Sequence, residues 1–171
     1  MTTSSEQIDW TNWIYRLIAL IIDSIIAGIP AWVIYSFLIV PLLWTSTVVL
    51  GVTVVTAPWW AGVLLWPLIY GIILVLYSAI LELTWNGQTV GKRIMGLQVH
   101  TTNGSARTFG TEFIRNISKI YWLLLLLDWL LAIISTSKQQ KYTDRMANTI
   151  VLQIRQAQTA PPPPPPPPPP T

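Results

Sequence analysis

The sequence has no cysteine and a single histidine, His100. Neither a disulfide framework nor a thiolate metal site can therefore form, and around this one histidine neither a histidine-based metal centre nor a Ser-His-Asp triad has its parts nearby in abundance. Charge is missing on a larger scale. From Ser24 to Leu81, between Asp23 and Glu82, 58 consecutive residues include no Lys, Arg, His, Asp or Glu. A soluble domain would interrupt such a run wherever the chain met water, so this length of chain belongs in a bilayer. Basic residues are also absent from the first thirteen positions, which carry Glu6 and Asp9. A secretory signal would open on a basic stretch and end after a short apolar one, so the first apolar segment is expected to be a retained anchor.

What is present agrees with what is absent. Hydrophobic residues make up 52% of the 171 and charged residues 10%, enough for one small membrane domain. A span needs about 20 apolar residues to cover roughly 30 Å of hydrocarbon. Two long helices, Trp13 to Leu43 and Trp59 to Thr84, fit the first half. The intervening Trp44 to Pro58 is rich in Thr, Val and Gly, a loop or strand composition, and Trp44, Trp59 and Trp60 flank it where an aromatic belt would sit. Trp10, Trp13, Tyr15 and Trp85 are expected to form the belt at the other face. Pro30, Pro41 and Pro67 predict kinks in the spans.

Nine of the ten basic residues follow residue 91, while the 44–58 connection has none. The excess of Lys and Arg makes the 84–119 loop cytoplasmic, and the N terminus with it; three spans in the first half would push this basic loop outside. The net charge of +3 orients a membrane protein and gives no argument for nucleic acid. The third apolar run, Ile120 to Ile134, would make a helix of only about 22 Å. Its flanks are both basic, so a re-entrant or strongly tilted element is expected, with Arg115 and Lys119 snorkelling to headgroups and Asp128 facing inward. The fold class is therefore all-α membrane protein: two full transmembrane helices, a third short re-entrant or tilted helix, and a small cytoplasmic β-hairpin loop. Residues 1–12 are a tail, 13–155 the membrane domain and 156–171 a proline-rich tail.

The cytoplasmic loop reads as Gly87 to Arg93 (GQTVGKR), an alternating stretch, and the turn pair Asn103-Gly104, which predicts a hairpin. Thr111 and Glu112 predict a helix start, and Thr149 to Ile154 a short strand. The GQTVGKR segment, with Gly87, Gln88, Thr89, Gly91 and Lys92, is no phosphate loop: three residues separate its glycines where four are needed, and Arg93 stands where a magnesium-binding Ser or Thr belongs. Asn103 and Asn116 match the glycosylation pattern by spacing on the wrong side of the membrane. The ten prolines form a polyproline II rod of about 31 Å, read as a spacer or as a ligand for an aromatic groove.

Acids and bases at membrane depth are the candidate functional residues, because an ionisable group in hydrocarbon is costly unless paired or wet. Arg16 and Asp23, seven apart, project from one helix face about 10 Å apart, which calls for a third partner or water between them. Ala19 and Ala27 share that face and admit a close neighbour. Glu82 and Asp128 are the other acids at this depth. The cluster either fixes helix register or carries a proton or cation. No nucleophile-base pair or metal cluster points to an enzyme, and no cofactor is expected.

Arg16 and Asp23 in the first helix, GQTVGKRIMGLQV at 87–99 and DRMANTIV at 144–151 together resemble the RDD family of membrane proteins, over about Trp13 to Leu152. The resemblance implies Arg16 as the family arginine and Asp23 and Asp144 as its two aspartates. Asn148 stands where the family usually has Gly, and Asn also tolerates left-handed backbone. For function the resemblance implies transport of a small ion or solute, cation/proton exchange being its narrower form. Two or three helices enclose a pathway poorly, so the transporter is expected to be a homo-oligomer. The alternative is a membrane scaffold or assembly factor recruiting a protein partner through the loop and proline tail.

Overall fold

The computed structural model describes residues 9–56, 58–134 and 140–154. Lys138, Arg155 and the proline tail 156–171 lie outside the described residues, as do residues 1–8. Helix α1, Trp10–Leu43, starts at an Asp9 cap whose carboxylate accepts from the Asn12 amide at 3.1 Å. Helix α2, Ala61–Thr84, returns beside it. Three prolines, Pro30, Pro41 and Pro67, are absorbed without ending either helix. Pro41 and Pro67 each follow a π-helical turn, Tyr35–Ile39 and Ala61–Leu65. The wider turn gives the proline ring room against the carbonyl four residues back, whose hydrogen bond it cannot make.

Burial follows a stripe on each helix. On α1 it runs through Asn12, Trp13, Arg16, Ala19, Asp23, Ala27 and Ala31, and on α2 through Gly71, Leu74, Val75, Ser78, Ala79 and Glu82. The Leu, Ile and Val side chains on the outer faces are exposed, as lipid contact requires. From Ser24 to Leu43, the charge-free part of α1 is about 30 Å long, the thickness of a hydrocarbon core. Asp23 and Glu82 therefore both sit where the apolar slab ends. At the far end strands β1 (Thr45–Val49) and β2 (Val52–Thr56) form a hairpin. Its turn places Leu50 and Gly51 at positive φ, 53° and 80°. Exposed Trp44, Trp59 and Trp60 flank it as the belt reading requires. At the charged end Trp10 and Trp85 are exposed, but Trp13 is buried, edge-on to Trp129 at 5.0 Å, and takes no part in a belt.

After α2 the short helix α3 (Val90–Ile94) and strand β3 (Leu97–Thr101) lie at the charged end. The small two-stranded sheet is present, but it is not a hairpin around Asn103-Gly104. Strand β3 pairs antiparallel with β4, Thr149–Gln153, joining segments about 50 residues apart. The sheet's inner residues Leu97, Val99 and Val151 pack on Ala19, with Tyr15 and Met95 beside them. Burying those three side chains gives β3 a reason to choose the distant strand.

Helix α4, Phe109–Ile120, starts at a Thr108 cap, three residues before the expected Thr111, and its last turn, Ile117–Ile120, is 3₁₀. It descends along α2: Asn116 Nδ2 donates to Glu82 at 2.6 Å, Lys119 Nζ to Ser78 Oγ at 2.8 Å, and Ile120 lies on Gly71. From Glu82 to Gly71 is about 16 Å along α2, half the hydrocarbon thickness. At Tyr121, in extended conformation, the chain turns by 109° into helix α5, Trp122–Ile134. Helix α5 then returns: Trp129 meets Trp13, and Asp128 receives Thr143 just before helix α6 gives way to β4. Helix α6 is Tyr142–Met146. Both ends of the bent pair are tied to one sheet and one charge cluster, so this element enters and leaves on the same side. It is re-entrant.

Candidate functional site

The charged end of the helix hairpin holds five acids and five bases: Asp23, Glu82, Glu112, Asp128 and Asp144 with Arg16, Lys92, Arg115, Lys119 and Lys141. All five acids and both arginines are buried. They come from all six helices, Lys141 from the cap of α6, and none from a strand. The projection that set Asp128 opposite Arg115 and Lys119 assumed one continuous helix, and the bend at Tyr121 removes that premise. Arg115 and Lys119 do not snorkel outward; both face the cluster.

Asp23 is the receptor for the GQTVGKR segment. Its carboxylate accepts from Thr89 Oγ1 at 2.5 Å, the Gly91 amide at 2.8 Å and the Tyr77 hydroxyl at 3.1 Å. Among the described residues none of its hydrogen-bond partners is a cation. Thr89 caps α3, accepting from the Lys92 amide at 3.3 Å. Asp23 thus extends the cap of α3 across to α1. Gly91 is required because a Cβ there would run into the Ala19 carbonyl, and Ala19 must be small for the same approach. Gly87, at φ 82°, receives the Val99 amide on its carbonyl at 3.0 Å, and Gln88 Nε2 donates to the Leu97 carbonyl at 2.9 Å. The motif is therefore a docking device that seats β3 on the membrane helices.

Lys92 carries the docking on to Glu82, whose other oxygen takes the Arg115 guanidinium and Asn116. Arg115 Nε also donates to Glu112 at 3.0 Å. Arg16 Nη2 donates to the Val151 carbonyl at 2.7 Å while its guanidinium lies over the Trp13 ring at 5.2 Å. Asp128 accepts from Ser118, Thr143 and Lys141 at 2.8, 2.8 and 3.0 Å, which ties the returning α5 to α4 and α6. Asn148 adopts φ 50°, the left-handed backbone expected of it, and its carbonyl takes the Thr102 amide at 2.8 Å.

Asp144 closes the set. Arg16 Nη1 stands 3.6 Å and Arg115 Nη1 3.9 Å from its two oxygens, the third partner that Arg16 required. Both distances exceed a hydrogen bond, and Asp144 Oδ1 and Arg16 Nη1 and Nε have no hydrogen-bond partner among the described residues. A cavity of about 40 Å³ lies here, large enough for a water or a small ion by the roughly 10–15 Å³ criterion. Its wall includes all five bases but only Asp23 and Asp144 of the acids. Burial would raise the Asp144 carboxyl, but Lys141, Arg115, Arg16 and Lys92 outweigh it and hold it below its ordinary value. Burial pushes the Lys92 ammonium down to about 8, against the pull of Asp144, Asp23 and Glu112. Among the described residues no group of three or more acids or histidines is placed to hold a metal.

Sequence reasoning named Arg16, Asp23, Glu82, Asp128 and Asp144, and the structure gathers all five at one end, Asp128 on the edge beside Lys141 and Thr143. It missed Glu112, Asn116 and Lys141 as members. The Glu112 and Arg115 spacing of three was a readable signal of a local pair; nothing local marks Lys141. A model of the RDD family matches residues 11–148. No curated protein and no solved structure matches the chain.

Proposed function

The chain belongs to the RDD family, and from that premise we propose that this integral membrane protein moves a small ion or solute, as a homo-oligomer in the cell membrane, with its charged end toward the cytoplasm. The observation that carries this reading is the cavity at Asp144, where two guanidinium contacts are held open at 3.6 and 3.9 Å and three polar atoms await a partner. A water or a small ion fits between these groups, and without one the unsatisfied buried polar atoms would each cost about 1–3 kcal/mol. The orientation rests on the basic residues of the charged end. Assembly is needed because two spans and a re-entrant element leave the cavity without a closed path to the far side.

A second reading, a membrane scaffold, draws on Asp23, whose carboxylate is saturated by three neutral donors and so acts as a fastening for the 87–93 segment. The two readings separate in liposomes. Reconstituted protein is assayed for dissipation of pH, sodium and chloride gradients, alongside an Asp144→Asn variant that elutes and unfolds as wild type does. Flux lost in the variant supports transport through the cavity. Folded wild type that moves none of these ions sinks that reading in favour of the scaffold.

A further inference from the structure

Lys119 is set apart from the other four bases of the cluster. Arg16, Lys92, Arg115 and Lys141 each pair with a carboxylate within 4 Å, whereas Lys119 has no such pair among the described residues and donates only to the Ser78 hydroxyl. It sits one helical turn of α2 deeper than Glu82, about 6 Å further into the apolar slab. An ammonium at this depth calls for an anion.

Lys119 also stands in the wall between two spaces of different character. On one side is the cation-walled cavity with the unpartnered Arg16 nitrogens. On the other is a hollow of about 300 Å³ between α1, α2 and α5, lined by Leu20, Trp66, Pro67, Leu74, Trp122 and Leu125 among others. A second apolar hollow of about 260 Å³ shares Leu20, Trp122 and Leu125 with the first and opens along α1 and α5. Two neighbouring apolar hollows, the larger of which reaches the Lys119 ammonium, match an amphiphile in polarity.

We propose that Lys119 anchors the phosphate or carboxylate head of an anionic lipid whose acyl chains lie in these two hollows. The head must be small, since the polar cavity beside it measures only about 40 Å³ and the Lys119 ammonium lies below the level of bulk headgroups. A choline-bearing head would bury a further cation against Arg16 and Lys119 and is disfavoured by charge as well as size. Lys119 lines the Asp144 cavity as well as the hollow, so the two sites adjoin, but the proposal does not rest on ions moving through that cavity.

The test uses the full chain in neutral detergent with equal amounts of dioleoyl phosphatidic acid and dioleoyl phosphatidylcholine, counting retained lipid by native mass spectrometry. Wild type is expected to keep one phosphatidic acid per chain with roughly tenfold preference. Lys119→Gln should abolish the preference, Lys119→Arg should keep it, and Arg93→Gln, at an exposed cation outside the hollows, should leave it unchanged. Equal retention of the two lipids by wild type, an undiminished preference in Lys119→Gln, or inorganic phosphate displacing the lipid as well as phosphatidic acid does would each overturn the proposal. Should Lys119→Gln not fold, bromination of the acyl chains decides. Brominated phosphatidic acid must quench wild type more than brominated phosphatidylcholine does, and Trp66→Phe with Trp122→Phe must remove that excess; an excess that persists without them refutes the site.

Discussion

Replacing Asp23 by Asn separates a fastening from a carrier. In the wild type two oxygens receive three donors, at 2.5, 2.8 and 3.1 Å, from Thr89, Gly91 and Tyr77. Hydrogen bonds to a charged acceptor contribute about 1.5–3 kcal/mol and neutral ones about 0.5–1.5, so each of the three weakens by about 1 kcal/mol. One position worsens further, because the amide NH₂ must face either the Gly91 N–H or the Thr89 hydroxyl, and only the hydroxyl can turn to accept. Against this, a neutral amide no longer has to be desolvated as an ion. The balance is a loss of about 1–3 kcal/mol, a sizeable part of a typical 5–15 kcal/mol stability. Unfolding in mixed micelles reads the global loss, and amide exchange at Gly91 reads the local one. Protection of the Gly91 amide should fall roughly five- to hundredfold, in line with that loss. If stability and Gly91 protection are unchanged while ion flux disappears, Asp23 is a carrier and the fastening argument is wrong.

Other consequences are equally open to measurement. Gly71→Ala places a methyl group into the Ile120 carbonyl and should cost about 1–3 kcal/mol as the re-entrant element is pushed off α2; Gly62→Ala, with open space around it, should leave the unfolding midpoint unchanged or raise it. Asp128→Ala strands the Lys141 ammonium and the Thr143 amide, so a loss of about 3–5 kcal/mol is expected on thermal unfolding, and a loss below 0.5 kcal/mol would contradict the pairing. For Lys92 the folded value of about 8 lies below the ordinary 10.5; between the two the unfolded chain holds the proton and the folded chain does not, so stability rises with pH across that window. Lys92 contributes at most about 1.4 kcal/mol per pH unit to this slope, and Lys92→Gln should remove that contribution. With no native cysteine to interfere, Ser105→Cys and Tyr142→Cys should be labelled by an impermeant maleimide from one side of the membrane and Thr53→Cys from the other; labelling of Ser105 and Tyr142 from opposite sides would mean that the bent pair crosses.

Much of this architecture was legible because its signals are local. Hydrocarbon thickness let the uncharged run hold two long spans or three short ones, and the basic loop after it selected two. The seven-residue interval put Arg16 and Asp23 on one face, and basic flanks on a fifteen-residue apolar run pointed to a re-entrant or strongly tilted third element. The bend itself was not legible. No glycine or proline lies between Thr111 and Ile134, and Tyr121 is extended because its neighbours are held: Ser118 by Asp128, Lys119 by Ser78 and the Tyr121 hydroxyl by the Leu64 carbonyl. The Asn103-Gly104 turn signal misled for a related reason. A turn pair permits a hairpin, but burying Leu97, Val99 and Val151 against Ala19 gave β3 a better strand elsewhere.

By itself, then, the sequence determined a membrane protein of two spans and a partial third, with charge confined to one end, since composition and periodicity act within a helix length. Only the tertiary structure decided which charge meets which. Arg16 finds Asp144 across most of the chain, Asp23 takes up neutral donors instead of Arg16, and Lys119 is left facing an apolar hollow. Those pairings depend on where α4 turns and where β4 docks, and no local preference of the residues involved encodes either.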